Sequence, residues 1–247
     1  MGLSRVDPSR WLLRDDQFDD YLARKRELLA ERHDDVFQAL PGTEPAGEEV
    51  LHAIRTWGGY RGDDTDNHPE FDGVHPLEEA ALLVQEDLCV LVDGVFVAGS
   101  VCFPSHWHLR DKIGHSTAEL HGPVHGYDVE LSTRVDSFIG RLAPDHIAAR
   151  RNFSIHEYED LFAPDCPPVG QVPPAEQWLR SEYETLRRFP RTGAVLFTIR
   201  TQQAQLGTLS TEVRAKLGAR LRAEPEGLID YRNLTERLPA LIDWLAS

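Results

Sequence analysis

The residues best suited to chemistry are four histidines, His108, His115, His121 and His125, gathered in the stretch 107–126 together with Gly114, Gly122, Pro123 and Gly126. Imidazole is neutral at physiological pH and is a common axial ligand of haem iron, and glycine and proline let a backbone run close to a flat macrocycle. The bland alternative is a loop histidine that is solvated or hydrogen-bonded, and residue type alone does not separate the two. His121 and His125 have the four-residue step of a helical zinc pair, but Gly122-Pro123 cannot sit in a helix interior, which disfavours zinc. His106-x-His108 follows Pro104 and leads into a helical pattern, so it reads as a cap region.

A second group consists of charged or polar residues inside otherwise apolar, regular segments: Arg150-Arg151-Asn152-Phe153, then Arg180, Glu182 and Arg200. Arginine grips carboxylates through a planar fork of donors, and a half-buried Glu182 would bind an ammonium group or relay protons. An internal salt-bridge network tying elements together is the competing reading. Glu86 and Asp87 read as the solvent face of a hairpin. Serine-nucleophile, P-loop and dinucleotide motifs are absent, so no NADPH site of its own is expected. Cys89, Cys102 and Cys166 are too few for a four-thiolate site, and any iron–sulfur cluster is expected on another chain. With no Cys-x-x-Cys-His, a haem here would be held without thioether bonds.

The elements that must position these groups follow from periodicity. Asp16 to Leu40 and Glu48 to Trp57 read as amphipathic helices, 58–73 as a loop, and Pro76 to Ala81 as a short helix. Leu83 to Val92 and Val95 to Phe103 flank Asp93-Gly94, the signature of a two-residue hairpin, in a register that sets Cys89 against Ala98 and leaves Cys89 and Cys102 unpaired. Short helices are expected over Trp107 to Ile113 and Asp128 to Leu142, and a strand over Arg151 to Ile155. A proline-rich connection covers Ala163 to Pro174, a helix Glu176 to Phe189, and a central strand Gly193 to Thr201. Helices about Ser210 to Ala223 and Thr235 to Leu245 finish the chain.

The result is an α+β protein read as one domain over 1–247: a helical lead (1–82), a sheet with the candidate pocket (83–201) and a helical cover (202–247). The net charge of −15 repels nucleic acid and anionic lipid, and no apolar run approaches a membrane span, so a cytoplasmic chain is the expectation.

Three blocks, QEDLCVLV (85–92), FPSHWHLRDKIGHSTAELHGPVHGY (103–127) and LRRFPRTGAVLFTIRT (186–201), together resemble the haem-dependent oxidative N-demethylase alpha subunit family. That resemblance implies a PAS-like haem-binding sheet, non-covalent haem b, dioxygen as oxidant, and conversion of an N-methyl amine to formaldehyde and a shorter amine. It also implies electrons from a separate NAD(P)H-dependent reductase carrying flavin and a [2Fe–2S] centre. By the same resemblance His121, before Gly-Pro-Val, is the iron ligand, with His125 as its alternative. Arg151, with Asn152 and Ser154, and Arg180 with Glu182 match later family blocks. Arg151, Arg180 and Arg200 are then expected to hold the cofactor, and Glu182 and Arg151 to serve catalysis. This sequence departs from the family pattern at His125, Phe153, Tyr183 and Glu184, which leaves the particular amine open. A haem-binding PAS sensor or a non-catalytic subunit is the rival reading, but no output module is visible in the sequence.

Overall fold

The computed structural model describes residues 2–57, 74–121, 135, 137–144, 146–170 and 172–247, with the side chain of His121 left aside. The described chain is α+β. The short strand β1 (Ser4–Val6) precedes α1 (Phe18–Glu31), α2 (His33–Val36), β2 (Phe37–Ala39), α3 (Glu44–Arg55) and α4 (Pro76–Ala81). The hairpin β3 (Asp87–Val92) and β4 (Val95–Ser100) leads to α5 (Thr117–His121). Three longer strands follow: β5 (Ile147–His156), β6 (Trp178–Arg188) and β7 (Val195–Gln205). The chain closes with α6 (Thr211–Arg222), α7 (Glu226–Tyr231) and α8 (Leu238–Leu245). All described strands join one antiparallel sheet in the order β1-β5-β6-β7-β3-β4-β2. Among the described residues, no helix is long and apolar enough to cross a membrane.

Side chains alternate across a strand, so the register assigns each residue to a face. Face A carries Ile147, Leu196, Leu88, Val90 and Ala98, which pack with Trp11, Leu28, Val50, Ile54 and Leu77 of the N-terminal segment and helices. At the far end of β5 and β6, Ile155 and Leu179 join Leu217, Leu221, Leu241 and Leu245 of the C-terminal helices. Face B carries Ala148, Leu186, Phe197, Cys89 and Leu91, then a run of polar residues toward His156.

The hairpin turn is as the dipeptide predicts: Asp93 and Gly94 both have positive φ, 50° and 79°, which a type I′ turn requires. The register differs from expectation by one residue, because an irregularity between Val90 and Leu91 sets Cys89 opposite Gly99 instead of Ala98. Glycine is needed there, since a Cβ at Gly99 would lie 2.7 Å from the Phe96 ring. Cys89 and Cys102 are free, as expected.

The largest correction concerns Glu176 to Phe189, which is strand β6 and not a helix. The face B charges of this inner strand are paired, so the polar/apolar alternation that marks a half-exposed strand is missing. The first helix also stops at Glu31, and Phe37–Ala39 pairs with β4 as an edge strand. Trp107 to Ile113 forms only a turn of 3-10 helix at Leu109–Asp111. Of the helix expected over Asp128 to Leu142, residues 137–141 are helical, and most of its first half lies outside the described residues, as does the loop 58–73.

Glu86 and Asp87 are buried, not at a solvent face. Asp87 accepts from the backbone N–H groups of Cys102 and Phe103, each at 2.9 Å, and Glu86 accepts from the Leu13 N–H at 2.7 Å. Opposite them the fully buried Lys25 donates to the carbonyls of Ala81 (3.1 Å), Val84 (3.0 Å) and Glu86. Burial pushes the Lys25 ammonium down and the two carboxyls up from their ordinary values. This network pins α1 to the start of β3.

Leu28, buried in the face A core, should lose about 2–5 kcal/mol of stability on change to Ala, whereas exposed Val213→Ala should stay within about 0.5 kcal/mol, both by urea unfolding.

Candidate functional site

The polar part of face B is built by three adjacent strands. Register places Asn152, Glu182 and Thr201 in one cross-strand row, Ser154, Arg180 and Gln203 in the next, and Arg150, Glu184 and Ile199 on the other side. Arg180 is fully buried. Its Nη1 donates to the Leu161 carbonyl at 3.0 Å, its Nη2 to the Phe103 carbonyl, and its Nε lies 3.3 Å from Glu182 Oε1. The other Glu182 oxygen accepts from Asn152 Nδ2 at 3.3 Å. Glu182 keeps 14% side-chain exposure, so its carboxylate is oriented from two sides yet still open. Arg150 pairs with Glu184, whose carboxyl is pushed up by burial.

Toward β3 the face becomes apolar. Leu186, Phe197 and Ile199 stand on the inner strands β6 and β7 but remain partly exposed, so apolar surface lies beside the Glu182 row on face B. Leu120 of α5 packs in the cluster that contains Phe197, so the backbone of α5, which ends at His121, comes down beside this surface.

At the far end of face B sits a cluster that sequence reasoning did not find. The His106 and His156 rings are stacked with centroids 4.9 Å apart, and His106 Nε2 pairs with the Tyr158 hydroxyl at 2.5 Å. His156 Nε2 lies 3.2 Å from Ser105 Oγ and 3.0 Å from Ser154 Oγ, and its Nδ1 is buried without a hydrogen-bond partner among the described residues. Burial, followed by the Arg180 charge, pushes His156 from its ordinary 6.5 down to about 3, so the ring is neutral. His106 is displaced in the same direction by the same causes. His106 is thus a member of this cluster, and the cap reading of the pair holds at His108, the N-cap of the Leu109–Asp111 turn. Residues fifty positions apart in sequence meet here, and only the β5 register could have signalled it.

The structure divides the residues singled out from sequence. Arg180 and Glu182 come together on face B. Arg151 and Arg200 lie on face A: Arg151 is exposed, with its guanidinium carbon 5.0 Å from the Tyr183 ring centre. Arg200 is fully buried, with Nη2 2.7 Å from Asp15 Oδ2, and stacks over Tyr21. Neither reaches the Glu182 side. His108 binds Asp165 at 3.0 Å, and His115 sits 3.7 Å from Glu119, both near the surface. His121 ends α5, and His125 lies outside the described residues. No group of three or more metal-ligating side chains occurs among the described residues.

The described chain is thus an α+β protein whose antiparallel sheet carries an oriented, partly open carboxylate beside partly exposed apolar residues. More particularly, the family model for haem-dependent oxidative N-demethylase, alpha subunit-like, matches residues 2–57 and 59–242, and the chain belongs to that family. Face B has features that fit the group this family description names: partly exposed apolar side chains, the oriented Glu182 carboxylate beside them and, in the next row, the buried Gln203 Nε2 with no hydrogen-bond partner among the described residues.

Because the folded chain holds His156 neutral while the unfolded chain binds a proton near pH 6.5, the unfolded state takes up protons first. This contribution to stability is complete above pH 6.5 and is lost as pH falls toward 3. His156→Gln should therefore flatten the acid limb of stability against pH, by up to about 1.4 kcal/mol per pH unit in that window, measured by urea unfolding at stepped pH.

Proposed function

We propose that this chain is the haem-carrying, substrate-oxidising subunit of an oxidative N-demethylase, acting on a small or biosynthetic methylated amine. The observation that carries the reading is the pairing of a family match over nearly the whole chain with the arrangement on face B, where an oriented, partly open Glu182 lies beside partly exposed apolar residues. An N-methylated ammonium needs just these two surroundings, a carboxylate for its charge and apolar walls for its methyl groups.

In this reading the sheet is PAS-like and holds haem b without covalent attachment, with His121 as iron ligand and His125 as the alternative. When bound, the haem supplies reductive activation of dioxygen, with electrons from a separate NAD(P)H-dependent reductase that carries the flavin and [2Fe–2S] centre. One oxygen atom enters a methyl C–H bond and the other leaves as water, and the resulting carbinolamine falls apart to formaldehyde and the shorter amine. Glu182 receives the substrate ammonium. Arg180 keeps that carboxylate in place, because three of its nitrogens are already engaged with protein acceptors and little of its fork is left for a propionate. Arg151 and Arg200 hold the N-terminal segment against face A, through Tyr183, which donates to the Arg10 carbonyl at 2.9 Å, and through Asp15. A cytoplasmic setting agrees with a reductase partner and free thiols.

The test is formaldehyde release from a panel of methylated amines, beginning with dimethylamine, by the haem-loaded chain supplied with dioxygen and an iron–sulfur reductase. Glu182→Gln should lower kcat/KM for the best amine about tenfold or more, a loss of about 1.4 kcal/mol in transition-state binding. Equal rates in the two proteins would remove Glu182 from the account, and no formaldehyde from any amine would overturn the demethylase reading. His121→Ala should abolish or strongly shift the Soret band while His125→Ala leaves ferrous ligation largely intact; the reverse pattern would exchange the two histidines.

A further inference from the structure

Strand β1 pairs with β5 only at Ile147, Ala148 and Ala149, so the outer edge of β5 beyond Ala149 has no strand partner among the described residues. The C-terminal helices occupy part of that edge. Arg232, the residue that caps α7, lays its guanidinium 4.5 Å from the Phe153 ring centre and donates from Nη2 to Asn152 Oδ1 at 3.2 Å. Its Nη1 donates to Glu224 Oε1 at 3.1 Å. Glu224 is itself buried, and the same Oε1 is also held by Arg220 Nη2 at 2.8 Å.

A side-chain amide has one accepting and one donating end. Arginine has donors only, so Arg232 fixes which end of Asn152 faces it. The Asn152 NH2 is thereby turned inward, where it donates to Glu182 Oε2. If the amide were reversed, two donors would confront each other at Arg232 and two acceptors at Glu182. We infer that Arg232, braced by Glu224, is a positioning residue that sets the substrate-binding carboxylate Glu182 through Asn152, so that the C-terminal helices take part in amine recognition. This rests on the role proposed above for Glu182, although the geometric chain itself can be tested without a substrate.

The chain has only three asparagines, Asn67, Asn152 and Asn233, so selective nitrogen-15 asparagine labelling yields three side-chain amide pairs with two internal controls. In the full-length protein the Asn152 pair should shift when Glu182→Gln exchanges its charged acceptor for a neutral one. That response to Glu182→Gln should be lost in an Arg232→Leu background and partly kept in an Arg232→Lys background, and Glu224→Gln should weaken it if the leucine variant does not fold. An Asn152 response unchanged in Arg232→Leu and in Glu224→Gln would overturn the inference. In amine turnover, Arg232→Leu should raise KM with kcat little changed and have no further effect in an Asn152→Ala background. Additive losses would instead mark Arg232 as a purely structural support and overturn its positioning role. If Glu182→Gln leaves KM unaltered while the Asn152 response behaves as described, the functional reading of Glu182 fails and the positioning chain stands.

Discussion

The structure depends on placing one guanidinium, that of Arg180, in the middle of a sheet with no access to water. A buried cation is tolerable only when its donors are taken, and here the carbonyls of Phe103 and Leu161 and the carboxylate of Glu182 take them. Those carbonyls belong to the two connections that leave β4 and β5, so both connections are drawn onto face B by the same side chain. The third partner is the partly open carboxylate of Glu182. Satisfying Arg180 therefore places both connections and orients that acid in a single act.

Burial, reinforced by the same charge, sets the character of the neighbouring imidazoles. His156 is buried beside a guanidinium that never loses its proton, so it stays neutral, and its stacked partner His106 is displaced in the same direction. On the opposite face the logic repeats with other residues. Lys25 is held by the carbonyls of Ala81, Val84 and Glu86, and Arg200 answers Asp15. The sheet is thus locked on both sides by enclosed charges, each placed where it ties a helix or loop to a strand. Changing one member while leaving its partner would strand a charge in the interior, which is why such pairs cost more to break than to replace together.

The parts of this arrangement that rest on local chemistry were legible in the sequence. Asp93-Gly94 announced its turn, Pro76 the start of α4, and Ser210 the cap of α6, whose hydroxyl accepts from the Val213 N–H. Arg180 and Glu182 were visible as charges in an apolar setting, and two residues apart they share a face only if the segment is a strand. What hid the strand was the pairing of its charges, which made β6 resemble a helix with one apolar stripe. Glu86 and Asp87 looked solvent-facing because their partners, Leu13, Lys25, Cys102 and Phe103, are far away or are backbone groups that sequence cannot display. The meeting of His106 with His156, and of Arg232 with Asn152, depends on strand register and on a helix reaching an open sheet edge, neither of which leaves a local mark.

The account stands or falls on whether face B takes up a tetrapyrrole. Purified full-length protein should be titrated with haemin and followed by absorption as oxidised, after dithionite and after carbon monoxide, with a pyridine haemochrome assay and acid–acetone extraction of the product. Saturable, equimolar uptake of extractable haem b that binds carbon monoxide when ferrous is the predicted result. A protein that stays colourless, or takes up haemin without saturation, would contradict it.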